Sequence, residues 1–182
     1  MADKVKFNIH NVHYAVTKDE GGWDTPVAIP GAVSFSLEPQ GDVSPFYADG
    51  MVYYNAVANN GYSGDLEMAM FPKAFLTAVF GMTEGTTSKV LTENSKTEPK
   101  SFALLFEEDG DATGTKYVLY NCTATRPTRD FKTTEDSKEP STSKISVTAA
   151  PLADGRVLAM TQDDTPAETV NKWYTKVFEE AV

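Results

Sequence analysis

Histidine and cysteine are nearly missing from this chain: two and one among 182 residues. Cys122 has no partner in the chain, so no disulfide framework is expected and a reducing cytoplasm suits its synthesis. His10 and His13 stand three apart in a strand-like segment. That spacing puts them on opposite faces unless a bulge intervenes, and no further His or Cys cluster completes a zinc site. Positive charge is also scarce, with 16 Lys and Arg against 26 Asp and Glu and a net charge of −10. Gripping nucleic acid requires Lys and Arg in place of phosphate counterions, so this chain is poorly suited to it, and equally to an anionic membrane surface. Long apolar runs are lacking as well. The most apolar region, Leu66 to Met82, is broken by Glu67, Pro72 and Lys73 and falls short of the ~20 residues of a spanning helix. The first seven residues hold no apolar signal core.

Catalytic signatures are equally thin. There is no Gly-x-Ser-x-Gly elbow, and Gly61-Tyr-Ser-Gly64 lacks the lysine and spacing of a phosphate loop. Cys122 lies mid-strand with no nearby base, which favours a structural thiol. Asp109-Gly-Asp-Ala-Thr-Gly114 resembles the start of a calcium loop, but its twelfth position is Tyr120 and its flanks read as strands, so a hairpin turn accounts for it better. Asn121-Cys-Thr123 is formally a glycosylation sequon inside a strand-like run. The many carboxylates leave open a Glu/Asp pair for glycoside hydrolysis, but abundance alone is no signal. The expectation is a protein that is not an enzyme, with no cofactor and no metal.

What the chain does contain is period two. With 41% hydrophobic and 23% charged residues it has the composition of an ordinary globular domain, long enough to bury a sizeable core. Val5, Phe7 and Ile9 alternate with polar partners; after a slip at Asn11, so do Val12, Tyr14 and Val16. A phase slip in a strand marks a bulge. Val33, Phe35 and Leu37 form another alternating set, Met51 to Ala58 is rich in Tyr and Val, and Leu66, Met68 and Met70 share one face. Phe102–Phe106 and Tyr117–Cys122 are denser runs around a Gly/Asp turn, followed by strands at Lys144–Thr148 and Val157–Met160.

Two segments take helical spacing instead. Pro72 to Phe80 has Pro at its start and Gly81 at its stop. Thr165-Pro-Ala-Glu168 reads as a capping box opening a C-terminal helix over 166–180, with Val170, Trp173, Tyr174, Val177 and Ala181 on one stripe. The polar stretches Met82–Lys100 and Arg126–Ser143, and the loop-like Pro39–Gly61, are expected to order only against a partner. The architecture expected is mainly β: an antiparallel β-sandwich or open barrel with one short internal helix and one C-terminal helix, as a single domain over 1–182.

The aromatics Phe46, Tyr47, Tyr53, Tyr54 and Tyr62 cluster in one polar, Gly-containing third of the chain. Core packing, a protein–protein contact and a sugar platform all suit such a cluster. Around it lie Ser34-Phe-Ser-Leu-Glu-Pro-Gln-Gly-Asp42, Pro45-Phe-Tyr-Ala-Asp49 and Asn59-Asn-Gly-Tyr-Ser-Gly-Asp-Leu-Glu67. Phe102-Ala-Leu-Leu-Phe-Glu107 and Tyr117-Val-Leu-Tyr-Asn-Cys-Thr-Ala-Thr-Arg-Pro127 follow in order. Taken together, from about Lys4 to Thr148, this set resembles the major tail protein family of long-tailed, non-contractile phages of Gram-positive bacteria. The resemblance implies a β-sandwich of the tail-tube type, flanked by a helix. Such subunits form hexameric rings that stack into a hollow tube and conduct DNA during genome ejection. It implies self-association as the main partnership, with tape measure and tail terminator proteins as neighbours and no membrane. It places the protein in the virion tail after synthesis in the host cytoplasm. The immunoglobulin-like C-terminal domain of some relatives is not expected.

On this reading Phe46, Tyr47, Asp49, Tyr53 and Tyr54 are candidate subunit or ring contacts. Glu38, Asp65 and Glu67 are candidate lumen-facing acids, because alternation turns Asp65 and Glu67 away from Leu66 and Met68. Six copies at −10 carry about −60 per ring, and such a lumen would let DNA slide without sticking. A carbohydrate-binding β-sandwich and a β-rich hydrolase are the readings from other classes.

Overall fold

The computed structural model describes residues 4–133 and 140–180. One long antiparallel sheet organises it, in the order β2 (Val27–Ala28), β1 (Lys6–Val16), β10 (Phe102–Gly110), β11 (Thr115–Ala124), β12 (Ser143–Ala149), β7 (Tyr62–Met68), β3 (Ala32–Phe35). The short β13 (Leu158–Met160) pairs β11 ahead of β12, and β4 (Glu38–Pro39) extends the β3 edge along β7. The sheet curls until β3 comes back against β1, which makes an incompletely closed barrel.

The barrel interior is the main core. Tyr14, Leu66, Met68, Phe102, Leu104, Leu119, Ile145 and Val147 point into it, and α1 (Lys73–Phe80) closes it with Phe75 and Val79. Phe75 sits edge-on to Tyr14, Phe80 and Phe102, an aromatic arrangement that adds to simple area burial. The helix begins and ends close to the expected places. Pro72 is its cap in extended conformation, and Gly81 ends it in the left-handed region with φ 63°.

A second core lies on the opposite face of β10 and β11. Ala15, Ala103, Leu105, Val118 and Tyr120 are covered there by Trp173 and Val177. Residues 102–106 are therefore buried on both faces, which explains why that run is continuously apolar while its neighbours alternate.

Several expectations need correcting. The C-terminal helix spans Ala167–Lys172 rather than 166–180, and Thr165 does not cap it. The Thr165 hydroxyl accepts from the Gln162 amide, in the turn before the helix, and Pro166 takes the cap position. Beyond Lys172 the segment is held by tertiary contacts. Trp173 Nε1 donates to the Tyr117 carbonyl at 3.4 Å, and Tyr174 donates to Glu107 at 3.2 Å. The apolar stripe is thus real although the helix is short. In β3 the register slips between Ala32 and Ser34, and Val33 turns half outward instead of sharing the inward face of Phe35 and Leu37. Met70 lies past the end of β7 and is exposed, unlike Leu66 and Met68. The Met82–Lys100 stretch folds back as a small ladder, β8 (Thr83–Glu84) with β9 (Leu91–Thr92). Within Arg126–Ser143, residues 134–139 lie outside the described residues.

The slip at Asn11 is a bulge, with Asn11 at φ 51° and the β1–β10 register shifting between His10 and His13. His10 lies between Glu107 and Asp109, while His13 stacks on Tyr174 at 4.3 Å. Asp109 and Gly110 end β10, and Asp111 to Gly114 form the β10–β11 hairpin connection.

Candidate assembly surfaces: an aromatic hairpin and a polar sheet face

Among the described residues, β5 (Val43–Ala48) and β6 (Met51–Val57) pair only with each other. Asp49 and Gly50 connect them with φ 52° and 77°, the paired left-handed geometry of a tight type I′ turn, which Asp-Gly suits. Phe46 faces Tyr54 directly, and the register then slips so that Tyr53 is the extra residue of a bulge. The base is fixed to the sheet by crossed backbone bonds between Gln40 and Gly61 and between Asn60 and Gln40, each 2.8 Å.

Among the described residues, none covers this hairpin. Val43, Phe46, Tyr47, Met51, Val52, Tyr53, Tyr54 and Val57 are all exposed, Tyr53 at 72% and Val57 at 75%. Of the sequence-selected contact residues, Phe46, Tyr47, Asp49, Tyr53 and Tyr54 come together here. Tyr62 does not: it starts β7 and packs against the barrel core. A lone two-stranded ribbon is marginal in water.

The outer face of β3, β7 and β12 has a different chemistry. Asp65 and Glu67 point away from Leu66 and Met68, as alternation requires. Ser146 donates to Asp65 at 2.7 Å. Glu67 accepts from the hydroxyls of Thr142 and Ser34 and lies 3.7 Å from Lys144 Nζ. Chiefly the Thr142 hydrogen bond, helped by Ser34 and Lys144, holds the Glu67 carboxyl below its ordinary range. Glu38 stands exposed on β4 opposite Ser63. Glu38, Asp65 and Glu67 therefore belong to one edge of the sheet, in a field of hydroxyls that includes Ser34, Ser36, Ser63 and Ser146. Those hydroxyls were not singled out from the sequence; the alternation of Ser34 and Ser36 with Phe35 was the available signal.

Cys122 is fully buried, and burial pushes its thiol up to about 12, so it is neither a nucleophile nor a metal ligand in this state. Among the described residues, no group of three or more His, Cys, Asp and Glu converges as a metal site, and no helix is long and apolar enough to cross a membrane.

Comparison with solved structures bears on this architecture. The sheath/tube terminator of an extracellular contractile injection system, PVC, in its extended state superposes with a TM-score of 0.50 at 16% identity, covering 87% of this chain and 98% of that one. The PVC sheath–tube complex follows at 0.48 and 15% identity, over 87% of this chain and 93% of that one. The tube-terminating cap of the anti-feeding prophage gives 0.45 and 12% over the same shares. The terminator shares this fold. No protein-family model and no curated protein matches the chain.

Proposed function

We propose that this chain is a structural tail protein: copies form hexameric rings that stack into the hollow tube of a phage or phage-derived tail, a conduit for DNA. The observation that carries the reading is the β5–β6 hairpin, whose eight large apolar side chains face solvent and are left uncovered by the described residues. A chain that leaves so much apolar surface uncovered is built to bury it against another copy. The fold shared with a tube terminator supports the reading, as does the acidic, hydroxyl-rich face around Asp65 and Glu67, which suits a wall past which DNA slides. Tape measure and terminator proteins would then be its other neighbours, in a virion tail assembled from subunits made in the host cytoplasm.

Negative-stain imaging of concentrated protein tests this directly. Rings or tubes are the expected result. A stable closed dimer that buries the Phe46–Tyr54 hairpin would count against it, because an isologous contact leaves no free hairpin for a ring. Saturable sugar binding by a persistent monomer would instead favour the carbohydrate-module reading.

A further inference from the structure

A heterologous assembly needs two different surfaces on one subunit, and the hairpin is only one of them. The second is visible at the other end of the same strand pair. A cleft of about 420 Å³ lies between α1, β9 and the chain after β11, walled by Met70, Phe71, Leu76, Leu91, Pro127 and Phe131. Its lips are apolar and exposed, Met70 at 72% and Phe131 at 90%. We infer, building on the tube reading above, that this cleft is the acceptor for the β5–β6 hairpin of a second copy of the chain, in a head-to-tail contact.

Three observations carry it. The first is position. The hairpin leaves the sheet where Tyr62 pairs with Ala149, and the cleft opens where Met68 pairs with Ser143. These are opposite ends of the β7–β12 ladder, about 20 Å apart at ~3.3 Å per residue. A contact between opposite ends is head-to-tail, and such a contact builds a ring where its rotation closes and an open stack where it does not.

The second is charge. From Asp19 to Pro72 the chain has no Lys or Arg, and Asp42 and Asp49 flank the hairpin strands. The cleft lining carries Arg129 and Asp130, and Arg129 shares the Glu93 carboxylate with Arg126 at 4.0 and 2.7 Å. Arg129 is the cation that a hairpin free of Lys and Arg would meet there, whereas hairpin against hairpin brings only like charges together.

The third is shape. The hairpin offers flat rings, Phe46, Tyr53 and Tyr54, and the cleft offers methionine and aliphatic walls that adapt to them.

The test uses the full chain. Two single variants, Tyr53→Cys and Phe131→Cys, change exposed side chains, and the native Cys122 is buried and unreactive. Mixed and treated with a short thiol–thiol cross-linker at concentrations where tubes form, they should give a cross-linked heterodimer. A Tyr53→Cys mixture with Phe7→Cys, an exposed site on β1, should give none. Separately, the double variant Met70→Ser/Phe131→Ser should melt like the parent yet raise the concentration needed for tubes by about tenfold or more. Arg129→Glu should act in the same direction. If wild-type tubes form but the Tyr53–Phe131 cross-link does not and the double variant assembles normally, the cleft is not the acceptor and the tube reading stands. If the parent forms neither rings nor tubes and no cross-link appears, both fail together.

Discussion

Glu107 shows how a single side chain ties sheet to C-terminus. Its carboxylate, only 14% exposed, receives Lys116 Nζ at 2.6 Å, the Asn11 amide at 3.1 Å and the Tyr174 hydroxyl at 3.2 Å. Burial pulls its pKa up, but the hydrogen bonds from Lys116 and Asn11 and the nearby positive charge outweigh this and hold it below the usual carboxylate range. Its pKa is depressed in the folded state, so its contribution is present above the unfolded value of about 4.3 and is lost as pH falls through the lower folded value. Glu107→Gln should cost about 1–3 kcal/mol at neutral pH and progressively less as pH falls below about 4.3, read as the shift in denaturant midpoint at neutral and acid pH. An equal loss at both would mean the charge is not what matters. None of this was legible in the sequence, where Glu107 is one of 26 acids. It took the bulge at Asn11 and a C-terminal segment some 67 residues further on to assemble the site.

At the scale of elements, the C-terminal segment and the hairpin base are the two joints. Trp173 is buried on the outer face of β10 and β11 and stacks on Phe178 at 5.4 Å. Trp173→Ala should destabilise by about 3–5 kcal/mol, and amide exchange should speed up across residues 173–180 before it does in the barrel. Exchange that rises uniformly across the molecule would show that the segment is not a separate unit. At the hairpin base Gly61 has φ 95°, and a Cβ there would lie 1.9 Å from the Ala149 carbonyl oxygen. Gly61→Ala therefore combines strain with a backbone clash and should cost at least ~1–3 kcal/mol. It should also loosen the Gln40–Gly61 and Asn60–Gln40 bonds, seen as faster exchange of the Gln40 and Asn60 amides. Helix α1 was readable because proline and glycine bracket a helical apolar stripe. The end of the C-terminal helix was not, because the stripe from Val170 to Val177 continues after the backbone leaves the helix.

At the scale of the whole molecule, the proposed lumen face makes a prediction about DNA. Glu67 pairs across the ladder with Lys144, so Glu67→Lys would set two ammonium groups side by side and disturb the sheet itself. Asp65 is the cleaner probe, since its cross-strand neighbour is Ser146 and its side chain is exposed. Asp65→Lys should leave the melting temperature nearly unchanged. In assembled particles it should slow DNA exit at low salt, with the effect fading as salt competes for phosphate. Normal ejection at low salt by particles shown to contain the variant would remove Asp65 from the lumen and leave the hairpin contact untouched.

The sequence by itself determined the local periods. Alternation at Asp65–Met68 sets which side chains are buried, and Pro72 with Gly81 brackets a helix, because each depends on neighbours a few residues away, whereas the Asp49-Gly50 hairpin lies in Pro39–Gly61, which reads as a loop. Even the bulge in β1 was readable as a phase slip at Asn11. Only the tertiary structure decided which of the aromatics are core and which are surface. Tyr62 and Tyr54 look alike in sequence, yet one pairs into a wide sheet over a core and the other into a ribbon that the described residues leave uncovered. It alone placed the hairpin and the Met70–Phe131 cleft at opposite ends of one ladder, because strand pairing over 80 residues of chain is a property of the closed sheet and not of any window of sequence.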